Sequence, residues 1–254
     1  MNFSSSKFLF SSLVAAASLF GVAAQAQNVA SSAPLAAEVS LFDGTAEGSS
    51  LITNGNTQNQ TTGLAFDVTY RPDPWLVNVK SKYQTTVSQE VQTQELFEIA
   101  GRGGRKLSDV TDTFIEHTYL KNRFAGTDNR YITSVGLGRF WIQSDAQTLR
   151  TEAGLGYTHE DRTDTTELAF MSGVVGLMYK YKITPTADIA HETKYQPNFK
   201  TSEDWRLTTE TALSAAISSM LSSKISWKYE HVNLPPAGKV KGDTTTMISL
   251  LAKF

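Results

Sequence analysis

Much of this chain alternates between apolar and polar residues with a period of two. In the stretch from residue 64 to residue 70 the apolar residues are Leu64, Phe66, Val68 and Tyr70. The pattern recurs around 75–83, 149–157, 205–217 and 225–229, and the charged residues collect on one parity. Because successive side chains of a β-strand point to opposite faces, this period predicts strands that each have one apolar face. Aromatic residues recur at segment ends, which is typical of the interfacial girdles of transmembrane barrels.

The last segment, Gly242 to Phe254, has the same period and ends the chain on an aromatic residue. Such a strand is typical of the closing strand of a bacterial outer-membrane barrel. We predict that it pairs with the first strand, since a closed ring leaves no edge unpaired. We further predict that Phe254 is the signal recognised by the barrel-assembly machinery.

The connections between segments fall into two classes that alternate along the chain. Short connections are predicted near 72–74, 107–109, 144–146, 184–186 and 222–223, and longer or more polar ones near 54–59, 85–91, 124–129, 159–166, 196–204 and 232–243. Outer-membrane barrels alternate short periplasmic turns with longer outside loops. The sequence therefore predicts an all-β fold, a single antiparallel transmembrane β-barrel of about 12 strands with both termini periplasmic. The first strand, about 38–53, has the most interrupted pattern.

The amino terminus has the layout of a secretory signal peptide. Lys7 precedes an apolar run from Phe8 to about Ala24, and Ala24-Gln25-Ala26 forms an A-x-A cleavage site. We predict that residues 1–26 are removed after Sec-type export, that 27–36 form a periplasmic lead-in, and that 37–254 form the barrel in the cell outer membrane. The chain contains no Cys, so the fold is stabilised without disulfides.

Charge and hydrophobicity reduce the number of protein classes that fit this chain. The formal net charge of −2 gives no general case for a nucleic-acid partner. After Ala24 no uncharged apolar run approaches the roughly 20 residues of a membrane helix. A soluble periplasmic binding β-sandwich is an alternative, but a sandwich would not place aromatic residues repeatedly at segment ends.

Several short motifs follow one another in a specific order. They are Gly55 to Thr57, Arg123 to Tyr131, Gly136 to Gly138, Glu152 to Tyr157, Pro235 to Lys239, Asp243 to Thr246, and Phe254. With these motifs, the chain resembles the YdiY-type family of salt-induced outer-membrane proteins over about residues 39–254. The resemblance implies an outer-membrane barrel whose expression is linked to salt or ion stress, and it carries over no catalytic residue.

Candidate chemistry outside the lumen is sparse. The four histidines lie on separate segments, at His117, His159, His191 and His231. A lipid-modifying outer-membrane enzyme, the enzymatic alternative, would need a Ser within reach of a His base. We interpret His231 as an interfacial residue near the outer rim.

An acidic run surrounds His159. It comprises Glu160, Asp161, Asp164 and Glu167, which lack the ordered spacing of a calcium loop. We interpret it as a solvated loop that meets the cations bridging lipopolysaccharide. The sequence thus predicts no enzyme activity, no cofactor and no dedicated metal site, with outer-membrane lipid and lipopolysaccharide as partners.

Charged residues concentrate on the parity predicted to face inward. The lumen-lining candidates are Lys80, Lys82, Glu98, Arg150, Glu152, Glu192, Arg206, Glu210, Lys228 and Glu230. Unpaired charges in a narrow dry interior are costly, so these residues should pair or line water. Two hypotheses follow: an ion-pair plug in an envelope-stabilising barrel, or a small, weakly selective passive pore that responds to osmotic or salt stress. Glycines at 136, 138, 154 and 156 should leave room for long inward neighbours such as Arg150 or Glu152.

Overall fold

The structure is a computed structural model that describes residues 41–53 and 59–254, and the predicted signal peptide and lead-in lie outside these residues. The strands are β1 (Phe42–Thr53), β2 (Asn59–Tyr70), β3 (Trp75–Ser88), β4 (Val91–Ser108), β5 (Thr111–Asn122), β6 (Thr127–Gln143), β7 (Gln147–Arg162), β8 (Glu167–Thr184), β9 (Ala187–Pro197), β10 (Trp205–Ala216), β11 (Leu221–Val232) and β12 (Gly242–Lys253). A 3-10 helix, Arg123–Ala125, joins β5 to β6. Within the described ranges, no helix is long and apolar enough to cross a membrane.

The twelve strands form one closed antiparallel barrel, which confirms the predicted fold class. Each strand pairs with its neighbours in sequence, and β1 closes the ring by pairing with β12 from Thr45↔Lys253 to Ser49↔Ser249. Beyond β12, the backbone N–H and C=O of Phe254 both bond to Gly44. Closure satisfies the backbone groups that an open edge would leave unpaired.

The polarity of the barrel is reversed relative to a soluble domain. Outward residues such as Val135, Leu155 and Ile248 are at least half-exposed, whereas inward polar residues such as Gln84 and Thr158 are fully buried. A continuous apolar belt around a polar interior is the arrangement of a transmembrane barrel. The predicted face assignment of the alternating segments is therefore correct.

The connections divide the barrel into two ends. At the turn end lie the start of β1, the end of β12 and the short connections at 71–74, 109–110, 144–146, 185–186 and 217–220. The loop end carries five described connections, at 89–90, 123–126, 163–166, 198–204 and 233–241, while residues 54–58 of the predicted loop near 54–59 lie outside the described residues. The predicted alternation is correct in order for the described connections. Several boundaries differ by up to three residues, as at 124–129, where β6 begins at Thr127, and three predictions differ by more.

The first difference is the predicted loop at 85–91, which is wrong. Only Gln89 and Glu90 connect β3 to β4, and both have left-handed φ values of 50° and 67°. The flanking polar residues continue the strands instead of forming a loop, because they bond across the ladder, as Thr86 Oγ1 does to Gln94 Oε1 at 2.9 Å. A two-residue connection with positive φ matches the twist of a hairpin.

The other two differences are in the predicted turn at 222–223 and in the predicted loop at 159–166. The predicted turn at 222–223 is wrong, since Ser222 and Ser223 lie within β11. The turn falls at 217–220, where the Ser218 hydroxyl accepts the backbone N–H of Leu221 at 3.1 Å. The predicted loop at 159–166 begins four residues later, at residue 163, because β7 continues to Arg162 while Glu160 forms ion pairs inside the barrel.

A charged lumen as candidate functional site

Strand parity places all ten predicted lumen residues on the inward face. Lys80 and Lys82 lie on β3, Glu98 on β4, Arg150 and Glu152 on β7, Glu192 on β9, Arg206 and Glu210 on β10, and Lys228 and Glu230 on β11. The structure divides them among a network that spans the lumen, a cluster beneath the loop end, and a side with few ion pairs. That they line a route for a solute stays a prediction.

The network joins walls that are not adjacent. Arg102 on β4 bonds Glu116 on β5 at 3.2 Å and Glu152 on β7 at 2.8 Å. Lys194 on β9 reaches Glu116 at 2.9 Å, so an ion pair connects strands four places apart in the ring. Arg150 adds bonds to Glu152 and Asp112, both at 2.8 Å. This side of the lumen is therefore filled by ion pairs.

Sequence reasoning missed four members of this network: Arg102, Asp112, Glu116 and Lys194. Each has the parity of a predicted residue on its own or a neighbouring strand, and that signal could have identified it. Two glycines make space for the network. A Cβ at Gly138 would overlap the Arg150 guanidinium, and one at Gly176 would lie 2.6 Å from Glu152 Cγ. The first of these supports the prediction that inward glycines leave room for long neighbours.

Beneath the loop end, Glu160 is surrounded by three arginines. Its side chain is 0% exposed and accepts bonds from Arg130 at 2.9 Å, Arg162 at 3.1 Å and Arg206 at 2.6 Å. Arg206 also lies over the Phe170 ring, with its Cζ 5.5 Å from the ring centroid. A buried carboxylate is stable here because several charge-assisted hydrogen bonds replace its hydration.

Outside the network and the Glu160 cluster, the lumen holds fewer ion pairs, among them Lys228 with Glu230 at 2.9 Å. Lys80 lies 3.7 Å from Asp67, yet their side chains are 52% and 43% exposed although both face inward. Lys80 also interacts electrostatically with Glu192, which lies on β9, six strands away in the ring. Across the described residues, Lys82, Glu98, Glu192 and Glu210 make no direct ion pair. Solvent therefore reaches charged groups at the middle of the barrel.

The segment 233–241 crosses the mouth at the loop end. Pro236 lies so close to Gly126, in the β5–β6 connection on the opposite wall, that a Cβ there would be 2.6 Å from Pro236 Cγ. Gly126 has a φ of 91°, a conformation that glycine adopts without strain. Arg162 also donates to the Leu234 carbonyl at 3.1 Å. A cavity of about 240 Å³ remains between this segment and the rims of β4, β5 and β12.

The histidines all lie on outward parities, outside the lumen. His231 stacks on Trp205 with 4.6 Å between centroids and bonds the Tyr229 hydroxyl, which fits its interpretation as an interfacial residue. His117 and His191 bond threonine hydroxyls at 2.9 Å. Among the described residues, none of the four is hydrogen-bonded to a serine, so the triad expected of a lipid-modifying hydrolase does not form there.

Comparison with known proteins agrees with this architecture. A family described as "Protein of unknown function, DUF481" matches residues 46–254. The protein YdiY of Escherichia coli (strain K12) is 22% identical over 210 residues, covering 82% of each chain. The family match and this relative confirm the predicted resemblance, whereas its link to salt stress stays a prediction.

Two solved structures are similar to this chain in fold. An outer membrane channel from Pseudomonas putida F1 superposes with a TM-score of 0.52 at 9% identity, covering 89% of this chain and 100% of that one. A NanC porin superposes with a TM-score of 0.49 at 10% identity, covering 83% and 98%.

Proposed function

This chain belongs to the DUF481 family, and from its closed barrel and charged lumen we propose that it is a passive outer-membrane pore for ions and small hydrophilic solutes. The observation that carries the proposal is the solvent exposure of Lys80 and Asp67, which face inward at the middle of the barrel. A plug that only stabilised the barrel would bury this ion pair in a dry interior, whereas its exposure favours a hydrated interior.

The proposed pore is narrow. The network of Arg102, Glu116, Glu152 and Lys194 occupies one side of the lumen, and the segment 233–241 covers part of the mouth. Solutes therefore pass between two facing walls, one lined by Lys80 and Lys82 on β3 and the other by Glu192 and Glu210 on β9 and β10. Charges of both signs along this route favour weak ion selectivity.

The proposal includes a location and an orientation. The apolar belt, with Trp75 and Tyr70 near the turn end and Tyr119 and Tyr131 near the loop end, matches the girdles of an outer-membrane barrel. Short turns face the periplasm in such barrels, so both termini are periplasmic and the loop end faces lipopolysaccharide. Sec-type export and a role in salt or osmotic stress complete the proposal, the latter resting on the family resemblance.

Planar-bilayer recording tests the proposed pore. The purified folded protein should produce discrete conductance steps smaller than those of a large open porin. Lys80→Glu should shift the reversal potential in a salt gradient toward cation selectivity, because it replaces a positive charge by a negative one at the middle of the lumen. Lys121→Glu is the matched control, since that lysine lies on the outward face of β5.

Two results would contradict the proposal. Insertion of heat-modifiable, folded protein without discrete steps would favour the ion-pair plug. Conductance with a selectivity that does not respond to Lys80→Glu would place the conducting route elsewhere.

A further inference from the structure

The outer surface at the loop end carries a group of metal-ligating side chains that the pore does not use. His159 and Asp161 lie on the outward face of β7, and Glu167 begins β8 directly opposite Asp161 in the register. We call these three residues the rim cluster. Their neighbours in sequence behave differently, because Glu160 points into the barrel and is neutralised by arginines.

The rim cluster brings one imidazole and two carboxylates together. His159 Nε2 lies 3.5 Å from Asp161 Oδ1, and His159 Nδ1 lies 3.8 Å from Glu167 Oε1. One candidate ligand atom from each residue can be chosen so that all three lie within 4.8 Å of one another. Ligands about 2.1 Å from a tetrahedral ion are about 3.4 Å apart, so small rotamer adjustments would bring them onto one ion.

The charge around the rim cluster is uncompensated. In the described part of the chain, neither Asp161 nor Glu167 has a lysine or arginine within ion-pair distance, and their one ion-pair partner is His159. Like charges directly opposite each other on paired strands are destabilising. The adjoining turn adds a carboxylate, since hydrogen bonds from Thr166 lower the pKa of Asp164 below its usual value. A bound cation would offset this repulsion.

Neighbouring strands hold the ligands in place. The Tyr131 ring lies beside the His159 ring, with 6.4 Å between the ring centroids. Asn129 donates a hydrogen bond to Asp161 Oδ2 at 3.5 Å, so that the other oxygen of Asp161, Oδ1, faces His159. Asn129 is itself held by the Tyr119 hydroxyl, which donates to Asn129 Oδ1 at 3.0 Å. Outer residues that orient ligands in this way are a regular part of metal sites.

We propose that His159, Asp161 and Glu167 bind a divalent transition-metal ion such as Zn²⁺ at the outer rim of the barrel. One nitrogen and two oxygen ligands suit zinc and related ions, whereas calcium takes about 6–8 oxygens. Three protein ligands leave open positions for water or for anionic groups of the surrounding lipopolysaccharide. The site is independent of conductance through the lumen.

Calorimetric titration of the purified full chain in detergent with Zn²⁺ tests the site. The protein should bind one equivalent, and millimolar Ca²⁺ should not displace it. His159→Ala and Asp161→Asn should each weaken binding by about 10-fold or more. His117→Ala is the matched control, because His117 is also outward and also lies beside Tyr131, 6.4 Å away.

Three outcomes would overturn the proposal. One is the absence of saturable Zn²⁺ binding by protein that shows heat-modifiable mobility. Another is unchanged affinity in His159→Ala and Asp161→Asn. The third is equal binding of Ca²⁺ and Zn²⁺, which would indicate diffuse screening by an acidic surface and no defined coordination.

Discussion

At the scale of single residues, strand parity decides what each charge does. Glu160 and Asp161 are adjacent in sequence, yet Glu160 is buried among three arginines and Asp161 is part of an outward cluster with His159. Hydrogen bonds to Glu160 come from β6, β7 and β10, so this one carboxylate links three strands beneath the mouth. It is the most heavily bonded acid among the described residues.

Replacing Glu160 tests this role. Glu160→Ala leaves Arg130, Arg162 and Arg206 without their shared carboxylate, and removing one partner of a buried ion pair costs about 3–5 kcal/mol. We expect a lower midpoint for the heat-induced mobility shift and for urea unfolding. Glu203→Ala, at an exposed loop position, is the control and should change neither. An unchanged midpoint in Glu160→Ala would mean that the arginines find water or other acceptors.

At the scale of elements, the loop end is the less predictable half of the barrel. At the β3–β4 hairpin the strands extend beyond the apolar belt. Polar residues pair across the ladder there, as Thr86 does with Gln94, so apolar–polar alternation does not identify this part of the strands. The segment 233–241 does not project away from the barrel but crosses its mouth to Gly126. Its contacts are made by the Pro236 ring and the Leu234 carbonyl. No sequence pattern identifies the distant partner of either group, so the sequence does not predict where this segment lies.

Replacing residues 234–239 by a Gly-Ser sequence of equal length tests whether this segment limits conductance. The change removes the Pro236 contact and loosens the Leu234 acceptor, so we expect larger and more variable single-channel steps. The same replacement at 217–220, at the opposite end, is the control. Unchanged steps would mean that the network of Arg102, Glu116, Glu152 and Lys194 sets the limit.

At the scale of the whole molecule, the seam between β1 and β12 completes the ring. The described pairing there covers Thr45 to Ser49, and beyond it both backbone groups of Phe254 bond Gly44. The Phe254 ring also covers Gly44, where a Cβ would overlap it. The terminal residue therefore contributes to closure besides its predicted role as an assembly signal.

Deleting Phe254 separates these two roles. The deletion should reduce the amount of heat-modifiable protein in the outer membrane. If the deletion affects only ring closure, the yield of refolding in detergent should fall by the same factor. Normal refolding in detergent with failed assembly in cells would assign the defect to recognition by the assembly machinery. Lys253→Ala keeps the backbone pairing and is the control. Unaltered heat-modifiability in both settings would contradict a role for Phe254.

The sequence by itself determined the local features of this protein. Alternation with a period of two specified the strands, their number, their order around the ring and the face of each charged residue, because all of these depend on neighbours along one chain. Lys80, Glu152 and Arg206 were identified as inward for this reason. The turn within 217–223 was predicted at the wrong serines, because a serine hydroxyl can form hydrogen bonds both in a strand and in a turn.

Only the tertiary structure decided which inward charges meet. Ring closure brings Lys194 on β9 to Glu116 on β5 and Arg206 on β10 to Glu160 on β7, across distances that no periodicity encodes. It also decided that His159, Asp161 and Glu167 share one outward patch, while Lys80 and Asp67 form an ion pair that stays about half-exposed inside the barrel. A strand's pattern fixes the face of a side chain, but the curvature of the closed sheet fixes its partners.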